Sequence, residues 1–505
     1  MRQPQGDRAG GPVRAVALID GEHYPPVVVE ALAELSGHFN FLAAVFLGGT
    51  EKIGSGDIEA VAGETYGLPV HFAHGLGNDA GDAVGTGPGV RGSGVETSVD
   101  RLAGVLTLLE KVIDRYRPEA VVDVSDEPVV GYRERFRLAS HVLARGLSYE
   151  GSDFRFSPPK LERLAANPSL AVIGTAKRVG KTALSGFVAR TVHEYLSGQG
   201  KPGGEGGSGG GVVIVPMGRG GPAAPEVIDG AGKALGARDL LEWSRAGRHA
   251  ASDHFEDAAL SRITTVGCRR CGGGMAGQPF VSNVAEGVRV ANSLGPDLTI
   301  LEGSGAAMPP VFADARLLVA GAHQPLEYVV GYLGTYRVLI SDAVVLTMAE
   351  EPLAGMEDVR RMIAEIGSVR PGIPVIPIVF RPRPMDDIAG RSVAFFSTAP
   401  ASQEGVLRTY LEEESGCRVV SFSGNLSDRS RLRADLDAVA VRGADVFLTE
   451  IKAAAIDLVA EEAEARGLET VFVDNVPVEV EPAVPGRLRE VCLNLVGLAE
   501  ARFQD

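Results

Sequence analysis

Leu170-Ala171-Val172-Ile173-Gly174-Thr175-Ala176-Lys177-Arg178-Val179-Gly180-Lys181-Thr182-Ala183-Leu184 is the stretch on which the reading of the fold turns. Four apolar residues run into GTAKRVGKT, which satisfies the pattern GxxxxGK[ST], and a segment with helical character, 183–190, follows. Strand, glycine-bounded turn and helix in that order make the pattern a physical device. Backbone N–H groups of the turn converge on a phosphate chain, and the N-terminus of the helix adds its positive end. Gly174, Thr175, Ala176, Lys177, Arg178, Val179, Gly180, Lys181 and Thr182 are therefore the candidate nucleotide-binding residues. Lys181 is placed to reach the β- and γ-phosphates of ATP, and the Thr182 hydroxyl to take a position on Mg²⁺. A second protein oxygen for the metal is usually a carboxylate ending a neighbouring strand. The apolar run 298–301 supplies one in Glu302, which opens into Gly303-Ser304-Gly305.

Outward from this loop, short β-branched runs alternate with longer amphipathic segments, the pattern of a mostly parallel sheet covered by helices. Strands are expected at 15–19, 41–47 and 120–124 in the first part of the chain. In the second part they are expected at 170–173, 212–215, 298–301, 317–319, 343–346, 375–379, 393–396, 446–448 and 470–473. Segments 359–366 and 453–465 read as crossover helices. Ser157-Pro158-Pro159 breaks any continuing helix ahead of a fresh strand and marks a domain boundary. The expected organisation is an α/β chain with an N-terminal Rossmann-like domain, 1–157, and a larger P-loop NTPase-type domain, 158–505. The Gly-rich tract 198–211 reads as a flexible surface loop of the second domain, and 75–94 as a mobile loop of the first.

Composition narrows the function. The 505 residues carry 49 Lys+Arg against 65 Asp+Glu, a net charge of −16, with aromatics at 6%. Such a chain has no broad basic face with which to release counterions from a nucleic acid. No apolar run approaches the ~18 residues of a spanning helix, and the N-terminus has no apolar signal core, so a cytoplasmic protein is expected. Four cysteines are too few for a disulfide framework at this length. Cys268 and Cys271 form a CxxC, but no further ligands follow at zinc-site spacing.

An acidic chain that binds polyanions needs a local cluster of cations. Arg219 follows the strand 212–215 directly and falls at the carboxyl edge of the sheet, where open α/β sheets bind ligands. Arg269 and Arg270 lie between the two cysteines, His254 sits among carboxylates in 252–257, and Lys452 follows the strand 446–448. With Arg178 from the loop, these are the candidate substrate-binding residues, guanidinium being suited to bidentate phosphate recognition. Lys177, Lys181, Arg219 and Glu302 are the candidate catalytic residues, and Thr182 and Glu302 the candidate metal ligands.

GTAKRVGKT, PMGRGGP at 216–222, LEGSGAAMPP at 301–310, LTEIKAAAIDLVAEEA at 448–463, VFVDN at 471–475 and ALIDGEHYPP at 17–26 together resemble the cyclic 2,3-diphosphoglycerate synthetase family. The loop half is also similar in layout to dethiobiotin synthetase. The resemblance implies an ATP- and Mg²⁺-dependent ligase that closes 2,3-diphosphoglycerate into its cyclic phosphoanhydride and releases ADP and phosphate. A homodimer without nucleic-acid or membrane partners is expected. Two other readings stay open on the residues. One is another P-loop ligase or a phosphoglycerate kinase-type enzyme; the other is a nucleotide-switch metallochaperone that carries metal on Cys268 and Cys271.

Overall fold

The structure, a computed structural model, describes residues 11–49, 52, 58–73, 98–198, 211–233, 235–247, 253–452 and 455–504. Most of the two Gly-rich tracts lies outside the described residues. The chain forms two compact units, Met1–Pro158 with Gly331–Leu339, and Pro159–Val330 with Ile340–Asp505. A single cut near residue 157 places 331–339 with the second part of the chain, whereas these residues pack in the first unit. There the Ser140 hydroxyl donates to the carbonyl of Tyr332 at 3.1 Å, and the Tyr332 ring meets Phe136 edge-on.

The first unit holds β1 (Val13–Ile19), β2 (Phe39–Phe46), β3 (Val70–Phe72), β4 (Ala120–Asp123), β5 (Ser148–Glu150) and β6 (Arg155–Phe156), ordered β3-β2-β1-β4-β5-β6. All pairs are parallel except β5 with β6. The order reverses between β1 and β4, as in a Rossmann-like sheet. Carboxylates end both strands and serve the turns that follow. Asp20 accepts from the backbone N–H groups of Glu22, His23 and Asp126, and Asp123 from Ser125, Arg135 and Tyr149.

The second unit continues with β7 (Ser169–Gly174), β8 (Val212–Gly218), β9 (Glu226–Ile228), β10 (Thr264–Cys271), β11 (Val281–Ser282), β12 (Leu298–Glu302), β13 (Ala315–Gly321), β14 (Ala343–Thr347), β15 (Val375–Pro384), β16 (Ser392–Phe396), β17 (Arg418–Ser423), β18 (Val446–Thr449) and β19 (Glu469–Glu479). They form one sheet, β11-β10-β8-β12-β7-β13-β14-β15-β19-β18-β16-β17, with β9 on β10. Every residue of β7 and of β14 is buried, which explains their continuous apolar runs: both faces are covered by helices. Leu184, Val188, Val192 and Leu196, repeating along the helix Lys181–Gly198, pack on Leu170 and Val172 of β7. Each such burial contributes roughly 1.5–3 kcal/mol, so the helix that carries Lys181 is firmly seated.

The sheet departs from the parallel pattern at β15 and β19, which pair antiparallel from Ile378↔Glu479 to Pro384↔Val473. The expected strand at 375–379 stops short of β15, which runs on through Pro382 and Pro384. Beyond Pro377, however, β15 has lost β14 as a neighbour, so their missing N–H groups interrupt no ladder on that side. Adjacent Phe395 and Phe396 then face opposite sides of the sheet and enter separate core clusters, one with Leu448 and Val471, the other with Phe447 and Phe472. No helix among the described residues is long and apolar enough to cross a membrane.

Candidate active site

A cavity of ≈ 800 Å³ in the second unit is lined by Lys177, Arg178, Gly180, Lys181, Thr182, Arg219, Asp253, Glu256, Glu302, Glu450, Lys452 and Asn475, among others. It brings the ends of β7, β8, β12 and β18 and the middle of β19 onto one enclosure. Most residues singled out from the sequence meet here.

The loop between β7 and its helix is fastened on several sides. Thr175 Oγ1 donates to Gln324 Oε1 at 2.6 Å, and Thr347 Oγ1, at the end of β14, donates to the carbonyl of Val179 at 3.0 Å. Arg178 holds a left-handed backbone, φ 65°, a strain that a non-glycine residue sustains only where its surroundings impose it. Gly180 has φ 87°, and a Cβ there would lie 2.3 Å from the Phe380 ring. Gly180→Ala is expected to displace the loop and weaken nucleotide binding at least about tenfold, since left-handed strain and the clash each cost on the order of 1–2 kcal/mol. Calorimetry with ADP checks this; unchanged affinity contradicts the fit.

Lys181 is buried, and its Nζ donates to the carbonyl of Ala176 at 2.8 Å. Burial lowers its pKa to about 8, against the upward pull of Glu302 and Asp253. Thr182 Oγ1 donates to Glu302 Oε1 at 2.8 Å, while Glu302 Oε2 is buried with no donor. Asp257 stands beside Glu302, fully buried, and the two carboxyls are close enough to share a hydrogen bond when one of them is protonated. Burial first, and then Glu302, push Asp257 well above the carboxylate range; burial and Asp253 raise Glu302. A threonine hydroxyl beside a carboxylate with an unused oxygen is a donor set that suits a hard divalent cation, so Thr182 and Glu302 fit Mg²⁺.

Lys452 pairs with Glu256. Burial opposes the Lys452 charge, but Glu256, Asp253 and Glu450 outweigh it and hold the ammonium protonated. Burial raises Glu256 to about 8, with Lys452 pulling it back. Glu450 follows β18 and accepts from Ser397 Oγ, the N–H and hydroxyl of Thr398, and Asn475 Nδ2, tying the ends of β16 and β18 to the middle of β19.

Three expected substrate residues lie off this cavity. Arg270 donates to the carbonyls of Gly272 (2.6 Å) and Ser304 (2.8 Å) and stands beside Arg219, behind the Ser304 turn. Arg269 alternates with it on β10 and is exposed, away from the cavity lining. His254 is buried, stacked 4.1 Å from the Phe255 ring with Nε2 3.3 Å from Glu226. The reason is helical phase. On the helix Asp253–Ser261, Asp253 and Glu256 line the cavity, Asp257 on the same face is buried beside Glu302, and the adjacent His254 is carried off that face. That i, i+3, i+4 spacing of carboxylates is visible in the sequence and marks the inward face that a reading centred on the histidine misses. Cys268 and Cys271 stand three apart on β10, so their side chains leave opposite faces; Cys268 is buried, its thiol raised to about 12, and Cys271 is exposed. Among the described residues no group of three or more His, Cys, Asp or Glu side chains is arranged to hold a metal ion.

Three sequence models of one family match the chain: the cyclic 2,3-diphosphoglycerate synthetase N-terminal domain over 14–86 and 90–157, its P-loop domain over 169–379 and its C-terminal domain over 384–476. The chain belongs to the cyclic 2,3-diphosphoglycerate synthetase family. The cyclic 2,3-diphosphoglycerate synthetase of Rubrobacter xylanophilus is 50% identical over 469 residues, covering 92% of this chain and 94% of its own. That of Methanothermobacter thermautotrophicus is 41% identical, covering 97% of each. Among solved structures, the hydrogenase maturation factor HypB of Archaeoglobus fulgidus aligns with 42% of this chain and 81% of its own at a TM-score of 0.25 and 12% identity, too distant to bear on function. In family terms, the cavity joins the P-loop domain to the C-terminal domain, which supplies Glu450, Lys452 and Asn475.

Proposed function

We propose that this chain is an ATP-dependent ligase that closes 2,3-diphosphoglycerate into cyclic 2,3-diphosphoglycerate with release of ADP and phosphate. The observation that carries this reading is that Lys181 of the phosphate loop and Lys452 of the C-terminal segment line one cavity. A donor phosphate on the loop and an acceptor phosphate near Lys452 then share one enclosure.

The loop binds the triphosphate of ATP, and Lys181 neutralises the phosphoryl group in transfer. Thr182 and Glu302 would hold Mg²⁺, which supplies charge neutralisation to the transferring phosphoryl. One phosphate oxygen of the acceptor attacks the γ-phosphorus, giving a mixed pyrophosphate and ADP. An oxygen of the second acceptor phosphate then attacks the activated phosphorus of the first, and inorganic phosphate leaves. The P–O–P bridge of the ring forms as the bridge to the leaving phosphate breaks, without water. No protein nucleophile is needed, because both attacking atoms are already anionic phosphate oxygens. The protein positions two mutually repelling phosphates and neutralises them. Arg219, Lys177, Arg178 and Lys452 take that task; Arg219→Ala is expected to raise the KM for 2,3-diphosphoglycerate more than that for ATP. All four cysteines are free, which fits a reducing cytoplasm.

Steady-state ADP release tests the assignment. It is expected to require 2,3-diphosphoglycerate and to stay at background with dicarboxylate or amine acceptors; turnover with those acceptors alone would point to another ligase. The pH dependence follows from Lys181. Its pKa of about 8 in the free protein rises when a polyanion binds, so binding takes up a proton above pH 8 and none below. Affinity for metal-free ADP is expected to be flat from pH 7 to 8 and then to fall towards about tenfold per unit. A flat profile to pH 9.5 would contradict it.

A further inference from the structure

The cavity is not uniformly polar. Its cations come from the loop, the end of β8 and the segment after β18, and Lys452 is turned to that side by Glu256. The ends of β14 and β15, across β7 from β8 in the sheet, and the helix Glu404–Ser415 present Met348, Leu353, Phe380, Pro382 and Leu407. A doubly phosphorylated three-carbon acid has no apolar surface to offer such a wall, and a triphosphate has none either. The remaining part of the two substrates is the base of the nucleotide, whose planar ring loses water to an apolar wall at a gain.

This wall is joined to the phosphate loop. Thr347 at the end of β14 bonds to Val179, and the Phe380 ring lies against Gly180. Met348, the next residue, holds a left-handed backbone at φ 56°, a strain that clusters at ligand clamps. The polar groups on the wall also differ in availability. Both oxygens of Glu350 are occupied by Arg381, at 2.6 Å each, so this carboxylate is not free to pair with the two adjacent donors of guanine. Gln403 lies one helical turn from Leu407, lines the cavity, and its side-chain amide has no hydrogen-bond partner among the described residues. An amide offers one donor and one acceptor side by side, the complement of an adenine edge.

We infer that the wall of Met348, Leu353, Phe380, Pro382 and Leu407 is the nucleobase subsite and that Gln403 reads the base, selecting adenine over guanine. The inference rests on the nucleotide reading of the loop. The test is calorimetric titration of the full chain with ADP, GDP and inorganic tripolyphosphate, for wild type, Gln403→Ala and Gln403→Glu. Wild type is expected to prefer ADP. Gln403→Ala should weaken ADP about tenfold and narrow its advantage over GDP by the same factor, with tripolyphosphate unchanged. Gln403→Glu, which exchanges the donor for a second acceptor, should turn the preference towards GDP. Leu353→Ala should weaken both nucleotides and leave tripolyphosphate alone. If tripolyphosphate binds every variant while ADP affinities stay within twofold of wild type, the subsite is refuted and the loop assignment stands. If wild type binds neither tripolyphosphate nor ADP, the loop assignment falls and the subsite with it.

Discussion

Lys181→Ala is expected to lower ADP formation about 10³-fold while leaving the fold intact. The ammonium is the one buried cation on the loop, placed with a β-sheet end on one side and Glu302 on the other. Removing a single preorganised stabiliser of developing charge costs on the order of 10²–10³ in rate, and a phosphoryl transfer without protein nucleophile depends on such groups more than most reactions do. Stability should change little. Holding Lys181 charged in the interior is itself unfavourable, as its lowered pKa records, so what the variant loses is a packed alkyl stem, about 1–2 kcal/mol. Thermal unfolding beside steady-state ADP release separates the two effects. Near-normal turnover in a folded variant would remove the loop from the chemistry.

Lys452→Ala is expected to cut kcat/KM for 2,3-diphosphoglycerate about 10- to 100-fold, with ADP affinity within about threefold of wild type, because a charge-assisted bond to phosphate is worth ~1.5–3 kcal/mol. The same change strands Glu256, which is buried and has Lys452 as its ion-pair partner. For a fully buried pair the loss would be ~3–5 kcal/mol. Lys452 is 32% exposed, so solvent reduces it to about 1–3 kcal/mol. A second substitution, Glu256→Gln, should return the unfolding midpoint because no carboxyl remains that must be either paired or protonated on folding, without returning activity. Should the double variant recover both, Lys452 is a counter-ion to Glu256 and nothing more.

How far these residues were legible in the sequence depended on whether local pattern or distant pairing placed them. Gly174–Thr182 carries its own context, an apolar strand before and a helix after, and the strand-end position of Glu302 follows from the same local alternation. Arg219 and Lys452 were singled out as residues that follow strands, at the edge where open sheets bind ligands, and both line the cavity. His254 was misplaced because a rare residue among carboxylates draws attention, whereas the i, i+3, i+4 spacing of Asp253, Glu256 and Asp257 fixes which face turns inward. Arg269 and Arg270, expected to bind substrate, are flanked by Gly267 and Gly272–Gly274, which hide the strand they ride on, β10, where register sends one to solvent and the other to Ser304. Glu450 is another strand-end carboxylate, but its four donors come from β16 and β19 segments far along the chain. Likewise, the antiparallel pairing of β15 with β19 joins residues about a hundred positions apart, through prolines that argue locally against a strand. Burial of the Gly331–Leu339 segment in the first unit has no local signal at all.

The most direct measurement is ³¹P NMR of the purified chain with ATP, Mg²⁺ and 2,3-diphosphoglycerate. Ring closure predicts that the two phosphomonoester signals of the substrate give way to an upfield pair coupled through the new P–O–P bridge, in step with ADP and inorganic phosphate. If ATP is consumed while both monoester signals remain, or a single acyclic pyrophosphate accumulates, the cavity does not bring the two acceptor phosphates together.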